Sequence, residues 1–81
     1  MATTKTTVTP SWQSVTITTD ETWFASGPHG ILLGDATQPA TEDDGFPLAR
    51  GASTTFGSGV KVYYRSAGSE NTYVHRLGVS L

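Results

Sequence analysis

The sequence predicts an all-β fold: a small antiparallel β-sandwich or barrel with a Greek-key or jelly-roll-like path and an extended N-terminal arm. Three observations lead to this prediction. Polar and apolar residues alternate in short runs, which is the two-residue period of half-buried strands. Nine glycines and four prolines divide the 81 residues into these runs. No segment repeats its apolar residues every 3.6 positions, so we expect six or seven short strands and no helix.

The length of the chain limits how much core it can bury. A chain of 81 residues forms one domain at most, and we expect residues 1–10 to be the extended arm and residues 11–81 a single β domain. A domain of this size buries only about 60% of the surface that its unfolded chain exposes. The absence of cysteine excludes disulfides and cysteine-liganded zinc. A core this thin predicts further stabilisation by oligomerisation or by docking on a larger body.

Charge and hydropathy exclude two classes of partner. The formal net charge is −2, which leaves no basic excess to neutralise a phosphate backbone, so no nucleic-acid partner is predicted. No apolar run approaches the ~18 residues of a membrane span. The first residues lack the apolar core of a signal peptide, so we expect a chain that is made and assembled in a cytoplasm.

The threonine-rich segment 1–9 has two interpretations. It is either a frayed terminus or an extended arm that pairs with a neighbouring subunit, because threonine suits edge strands. In the second case Thr4, Thr6 and Val8 are the candidate partner contacts.

The next two predicted strands contain both tryptophans. Residues 11–19 alternate and form the first full strand, with Trp12 as a candidate partner contact. Residues 22–25 form a short aromatic strand in which Trp23 and Phe24 cannot both face inward. One of them then packs in the core while the other lies on the surface or at a subunit contact, unless a bulge brings both inward. Trp23 is therefore also a candidate partner contact.

The middle of the chain combines a buried strand with a polar loop. Residues 31–34 are a continuous apolar run, which predicts a buried strand with Leu32 deepest. Residues 35–45 are polar and predict a surface loop. Its acidic run, residues 42–44, could bind a divalent cation, but the alternating acids of a calcium loop are absent, so a solvated loop is the preferred interpretation.

Glycine and proline define the second half. Pro47 has no N–H to donate, so residues 46–48 should begin a strand or lie at a sheet edge. The Gly57-Ser58-Gly59 sequence predicts a hairpin between residues 53–56 and 60–64.

The last predicted strand, residues 72–81, alternates to its end and is expected to be paired throughout. Its odd-numbered residues, including Leu77 and Val79, should share one face. The predicted core comprises Val15, Ile17, Ile31, Leu33, Leu48, Phe56, Val60, Val62, Leu77 and Val79.

No chemistry-bearing motif is present. His29 and His75 lack the further ligands that a metal site needs, no nucleophile elbow follows a strand, and no phosphate-binding loop precedes a helix. We therefore predict no catalytic, metal-binding or cofactor-binding residue, and no enzymatic activity.

Three tyrosines and two cations suggest an aromatic–basic patch. The residues are Tyr63, Tyr64 and Tyr73 with Lys61 and Arg65. Such a patch stacks bases or sugars, or it packs across adjacent strands. The acidic balance of the chain favours packing, and Tyr63 and Tyr64 are kept as candidate partner contacts.

Several short motifs, most of them marked by glycine or proline, resemble those of a known family. They are Leu32-Leu33-Gly34, Gly45-Phe46-Pro47-Leu48, Gly51-Ala52-Ser53, Val60 to Tyr64, and His75 to Leu81. Together these motifs, within roughly residues 15–81, resemble the small all-β virion proteins of tailed bacteriophages. The resemblance implies a structural component of a virion and no catalytic residues.

Within that class, the expected function is a capsid decoration or cement protein. It would bind the major capsid protein or other virion proteins and stabilise the head lattice by strand addition and by apolar burial at subunit junctions. The thin core and the threonine-rich arm, together with the resemblance, favour a homotrimer. The alternative is a tail, baseplate or fibre-associated β module that binds a host-surface glycan or another virion protein.

Overall fold

The computed structural model describes residues 2–35 and 45–79, and these form eight strands without a helix. The strands are β1 (Ala2–Val8), β2 (Gln13–Thr16), β3 (Glu21–Phe24), β4 (Ile31–Asp35), β5 (Phe46–Leu48), β6 (Ser53–Phe56), β7 (Lys61–Ser66) and β8 (Thr72–Val79).

The strands form two four-stranded antiparallel sheets. Sheet A has the order β1-β8-β3-β6 and sheet B the order β2-β7-β4-β5. The first strand pairs with the last, the second with the seventh, the third with the sixth and the fourth with the fifth. This nested pairing, rolled into two layers, is the strand order of a jelly roll. The predicted all-β antiparallel sandwich is confirmed.

The predicted hairpin at Gly57-Ser58-Gly59 is wrong. β6 pairs with β3 in sheet A, whereas β7 pairs with β2 and β4 in sheet B, so this turn crosses between the sheets. Gly59 has a φ of 88°, and its N–H donates to the Ile17 carbonyl at 2.6 Å. The turn chemistry was recognised correctly, but a local turn does not determine which distant strand each neighbour pairs with.

Trp23 lies at the centre of the core, between the two sheets. It is fully buried, and the centre of its indole lies 5.2 Å from the Phe56 ring and 5.3 Å from the Tyr64 ring, both edge-on. The buried hydrophobic residues are Val8, Ile17, Trp23, Ala25, Ile31, Leu33, Leu48, Val62, Tyr64 and Val74. Of the predicted core, Val15, Phe56 and Val60 pack against this cluster while only partly buried. Leu32 is not the deepest residue of β4, because its neighbours on either side face inward and Leu32 faces out.

The segment predicted as an arm is extended, but it pairs with β8 of its own chain. Thr3 to Val8 pair without interruption with Leu77 to Thr72. Val8 is fully buried in the core, so the strand is an integral edge of sheet A and not a frayed terminus.

The predicted inward face of β8 is wrong. Leu77 is 61% exposed, while Val74 is fully buried on the opposite face. Arg76 also points inward, because it pairs with a buried carboxylate. Gly78, with a φ of 91°, then shifts the register, so that Thr3 pairs with Leu77 but Ala2 pairs with Val79. This glycine bulge interrupts the alternation that the prediction extended to Leu81, and Val79 is only half-buried.

β5 is an edge strand of sheet B, as Pro47 predicts. Asp35, the first residue of the predicted polar loop, is instead the last residue of β4. Residues 36–44 of that loop, with the acidic run 42–44, lie outside the described residues, as do Ser80 and Leu81.

Candidate functional site

The inner side of sheet A holds a buried ion pair. Glu21 is 2% exposed, and its carboxylate accepts hydrogen bonds from Arg76 at Nε (2.8 Å) and Nη2 (3.1 Å). The Trp23 indole N–H donates to the same carboxylate at 3.0 Å, and Arg76 Nη1 donates to Thr6 Oγ1 at 3.4 Å. The guanidinium carbon of Arg76 also lies 5.0 Å from the centre of the Trp23 ring.

This network joins three strands of sheet A and has a structural role. A bidentate arginine–carboxylate pair has defined geometry, and here it connects β8 to β3 while Thr6 adds β1. Among the described residues, no buried side-chain nitrogen or oxygen lacks a hydrogen-bond partner. The carboxylate is enclosed by these partners and is not available to a substrate.

The tyrosine nearest this network is buried. Burial raises the pKa of the Tyr64 hydroxyl above its ordinary value, and the positive charge of Arg76 partly opposes this by lowering it. Tyr64 is 7% exposed, so its side chain belongs to the core.

The outer face of sheet A carries exposed apolar side chains. Phe24 is 43% exposed and Leu77 is 61% exposed, and they lie on neighbouring strands, where Phe24 pairs with His75 and Thr22 pairs with Leu77. The Tyr73 and His75 rings are edge-on at 5.9 Å. These four side chains, Phe24, Tyr73, His75 and Leu77, are called the sheet A patch below.

Hydroxyl and cationic side chains surround the sheet A patch. Lys5 Nζ lies 4.2 Å from the centre of the Tyr73 ring. Thr22 and Thr55 share a hydrogen bond between their hydroxyls at 3.1 Å, and Ser26 Oγ contacts His75 Nδ1. The sheet A patch is therefore an apolar centre with a polar rim that includes one cation.

The outer face of sheet B has a different character. Tyr63, Arg65 and Lys61 alternate with the buried residues of β7 and point outward. Lys61 Nζ lies 5.1 Å from the centre of the Tyr63 ring, and the Arg65 guanidinium carbon lies 5.8 Å from the centre of the Trp12 ring. These four side chains, Trp12, Lys61, Tyr63 and Arg65, are called the sheet B row.

Cavities lined by described residues open near these faces. One of about 210 Å³ lies at the seam between edge strands β5 and β6 and is lined by Leu33, Gly34, Phe46, Thr54 and Phe56. Another, of about 390 Å³, lies beside the sheet B row and is lined by Pro10, Arg65, Ala67, Gly68 and Ser69.

The predicted contact residues are divided between the interior and both surfaces. Val8 and Trp23 are fully buried and Tyr64 nearly so, so their side chains cannot contact a partner. Thr4 is exposed, but Thr6 is half-buried and bonded to Arg76.

Trp12 and Tyr63 are half-buried and lie together in the sheet B row. The predicted aromatic–basic patch is therefore only partly assembled. Tyr63, Lys61 and Arg65 share a face, whereas Tyr64 points inward and Tyr73 lies on sheet A.

Sequence reasoning missed the sheet A patch and the buried ion pair. The prediction did allow one member of the Trp23–Phe24 pair to be exposed. Leu77 was assigned to the wrong face because Arg76 points inward, and neighbouring residues of a strand point to opposite faces. No sequence signal connected Glu21 with Arg76, since these residues are 55 positions apart.

Among the described residues, neither histidine lies in a cluster of metal-ligating side chains. His29 Nε2 lies 3.8 Å from Glu70 Oε2 in exposed loops, while His75 belongs to the sheet A patch. Within residues 2–35 and 45–79, no three His, Asp or Glu side chains come together as metal ligands would. In the same part of the chain, no helix has the length and apolar character to cross a membrane.

Comparison of the chain with protein-family models, with curated proteins and with solved structures found no match.

Proposed function

We propose that this chain is a structural protein of a tailed-phage virion, a capsid decoration protein that docks on the major capsid protein through the outer face of sheet A. The family resemblance of the sequence supports this proposal. The jelly-roll strand order supports it by analogy, because viral capsid domains often have this fold.

The observation that carries the proposal is the exposed apolar pair in the sheet A patch. Phe24 and Leu77 lie on one sheet face, diagonally across the β3–β8 ladder, at 43% and 61% exposure, although the same two strands bury Glu21 and Arg76. Exposed apolar side chains with a polar rim are typical of protein interfaces.

The size of the face suits a stable protein contact. The two longer extents of the Cα trace are 31 and 25 Å, so one broad face offers roughly 800 Å², about what each partner buries in a standard interface. Complete burial of a fully exposed side chain of this size is worth about 1.5–3 kcal/mol. Phe24 and Leu77 are 43% and 61% exposed, so covering what remains exposed would contribute about 1 kcal/mol for each. Copies bound at many lattice junctions would add these contributions over the whole shell.

The rim of the patch indicates the chemistry of the partner surface. Lys5 is the cation beside Tyr73, and the described side chains of this face include no carboxylate. A complementary surface would have an apolar centre and at least one carboxylate near Lys5. The described strands also leave the outer edge of β1 without a strand partner, so strand addition to β1 would extend the same interface.

Quantitative mass spectrometry of purified particles, from the phage or prophage that encodes this chain, tests the function. We expect a copy number comparable to that of the major capsid protein. A handful of copies per particle would favour the tail, baseplate or fibre alternative, and complete absence would exclude a virion role.

Rebinding to particles stripped of the protein tests the docking face. The double variant Phe24→Thr/Leu77→Thr should bind at least about tenfold more weakly, because it removes the apolar area that the contact buries. Tyr63→Thr, on the opposite sheet, is the matched control and should bind as the parent does. Equal binding by all three proteins would exclude the sheet A patch as the docking face.

The homotrimer stays a prediction within this proposal, and sedimentation equilibrium of the purified chain tests it directly. Deletion of residues 1–9, which would test a separate arm, cannot test this fold, because it removes Val8 from the core.

A further inference from the structure

We propose that docking through sheet A depends on pH, because a neutral His75 permits the contact and a protonated His75 weakens it. This inference rests on the proposed docking function and adds its regulation, through one side chain of the sheet A patch. Histidine is the side chain that ordinarily changes its charge between pH 5 and 8. Mild acidification therefore places a positive charge on a face that docks through apolar burial.

His75 lies among the apolar members of the sheet A patch. It pairs with Phe24 across the β3–β8 ladder, and its ring meets the Tyr73 ring edge-on at 5.9 Å. Leu77 is two positions further along the same face of β8. The imidazole is exposed in the isolated chain, so it is open to protonation there. A partner that covers both Phe24 and Leu77 also covers the imidazole, which neighbours both.

The nearest cation in the β1–β8 ladder adds to the cost of protonation. Lys5 is the direct partner of His75 across that ladder, and like charges at opposed positions destabilise a sheet. The Lys5 ammonium lies 4.2 Å from the centre of the Tyr73 ring, and the Tyr73 hydroxyl is the other titratable group of β8 on this face. A partner carboxylate that matches Lys5 leaves a second positive charge, on His75, without a counter-charge.

The carboxylates with described side chains do not supply that counter-charge. β3 packs against β8 on the side opposite to β1, but its Glu21 is buried and binds Arg76, and its outward residues are uncharged. Asp20 and Glu70 lie in connections between strands. A protonated His75 would therefore enter the docked interface unpaired, and burying an unpaired charge is costly.

The contact between Ser26 and His75 is kept in both protonation states. Ser26 Oγ contacts His75 Nδ1, and a hydroxyl donates to an unprotonated ring nitrogen and accepts from a protonated one. The contact therefore orients the ring at both pH values. The pH dependence arises from the burial of charge and not from the loss of this contact.

Rebinding of the full chain to stripped particles at pH 7.5 and pH 5.5, at constant ionic strength, tests the inference. We expect about tenfold weaker binding at pH 5.5, because docking then expels one proton and each such proton costs at most about tenfold in affinity per pH unit. His75→Gln is neutral throughout and should bind within about twofold at the two pH values. His75→Lys is charged throughout and should bind weakly at both.

His29→Gln is the matched control. His29 is the second of the two histidines and lies in the connection between β3 and β4, where its Nε2 is 3.8 Å from Glu70 Oε2. This variant should keep the pH dependence of the parent. Any titration of the particle itself would affect all four proteins alike. Circular dichroism at both pH values verifies that each variant is folded, and His75→Asn replaces His75→Gln if the latter unfolds.

Three results would overturn the inference. They are equal binding of the parent at both pH values, a pH dependence that His75→Gln retains, and stronger binding of the parent at pH 5.5, which would assign a partner carboxylate to His75. Absence of binding at pH 7.5, or binding there that does not need Phe24 and Leu77, would count against the proposed function. Binding that needs this pair but is insensitive to pH would count against the regulation alone.

Discussion

Sheets A and B distribute polarity differently. Sheet B buries aliphatic residues such as Ile31 and Val62 and places Lys61 outside, and its large exposed hydrophobic residue is Phe46 on edge strand β5. Sheet A buries the Glu21–Arg76 ion pair and exposes Phe24 and Leu77. The difference arises from strand geometry, because neighbouring residues point to opposite faces and an inward Arg76 therefore sends Leu77 outward.

This comparison shows that sheet A is not arranged for stability alone. A buried ion pair is often no more stabilising than well-packed apolar residues of similar volume, and each exposed apolar side chain forgoes burial. A partner that covers the sheet A patch would recover that burial.

The largest predicted change in the free energy of unfolding comes from breaking the Glu21–Arg76 ion pair. Glu21→Gln leaves Arg76 buried without its counter-charge and should lower the free energy of unfolding by about 3–5 kcal/mol, as measured by urea denaturation with tryptophan fluorescence. Glu70→Gln, at an exposed carboxylate, should change it by less than about 0.5 kcal/mol. Similar effects of the two substitutions would mean that the ion pair does not organise sheet A.

The glycine bulge of β8 should tolerate substitution poorly. A Cβ at Gly78 would lie 2.5 Å from the Asp20 carbonyl oxygen at a φ of +91°, so Gly78→Ala should cost about 3 kcal/mol through steric overlap and backbone strain. Gly51 has a similar φ of +86° with no atom near its Cβ position, and Gly51→Ala should cost only about 1 kcal/mol. Equal costs in urea denaturation would show that φ alone, and not the contact with Asp20, requires glycine.

A substitution with a smaller expected effect on the free energy of unfolding tests whether β1 is an integral part of sheet A. Val8→Ala removes buried methyl groups and should destabilise the chain by roughly 2 kcal/mol. Thr7→Ala, at the exposed neighbouring position, should be within about 0.5 kcal/mol of the parent. If Val8→Ala also leaves the unfolding midpoint unchanged, β1 is dispensable and an arm outside the domain becomes the better description.

The smallest predicted effect on the free energy of unfolding comes from Tyr64 and is confined to alkaline pH. Burial raises the pKa of Tyr64 above its ordinary value of 10.0, so the folded state favours the neutral phenol. This contribution is fully present below pH 10 and declines as the pH rises from there through the raised pKa of the folded state. The free energy of unfolding, followed from pH 8 to 11, should therefore fall more steeply for the parent than for Tyr64→Phe, and superimposable profiles would contradict the assignment.

The sequence predicted those features that depend on local chemistry. Alternation located most strands and Pro47 identified an edge, because each depends on the local backbone. The pairing of strands was not predictable in this way, since Gly57-Ser58-Gly59 suits a crossing between sheets as well as a hairpin. The faces of β8 were reversed because Arg76 finds its counter-charge in Glu21, which lies far away along the chain.

The candidate site was predicted less well than the fold. Trp12 and Tyr63 do lie on a shared surface, but Trp23 and Tyr64 were considered available when they form the core. Phe24 was one of two alternatives for an exposed aromatic. Large aromatic residues suit both cores and interfaces, so only the packed structure separates the two uses.

The pairing of the first strand with the last affects how this chain is made. Of the described strands, β1 leaves the ribosome first during synthesis and its partner β8 leaves it last. Sheet A therefore cannot close until then, and we expect slow folding dominated by distant pairings. In the meantime β1 exposes seven residues of unpaired backbone. The threonine and Lys5 side chains make this unpaired segment polar. This should limit aggregation of the nascent chain before β8 is available for pairing.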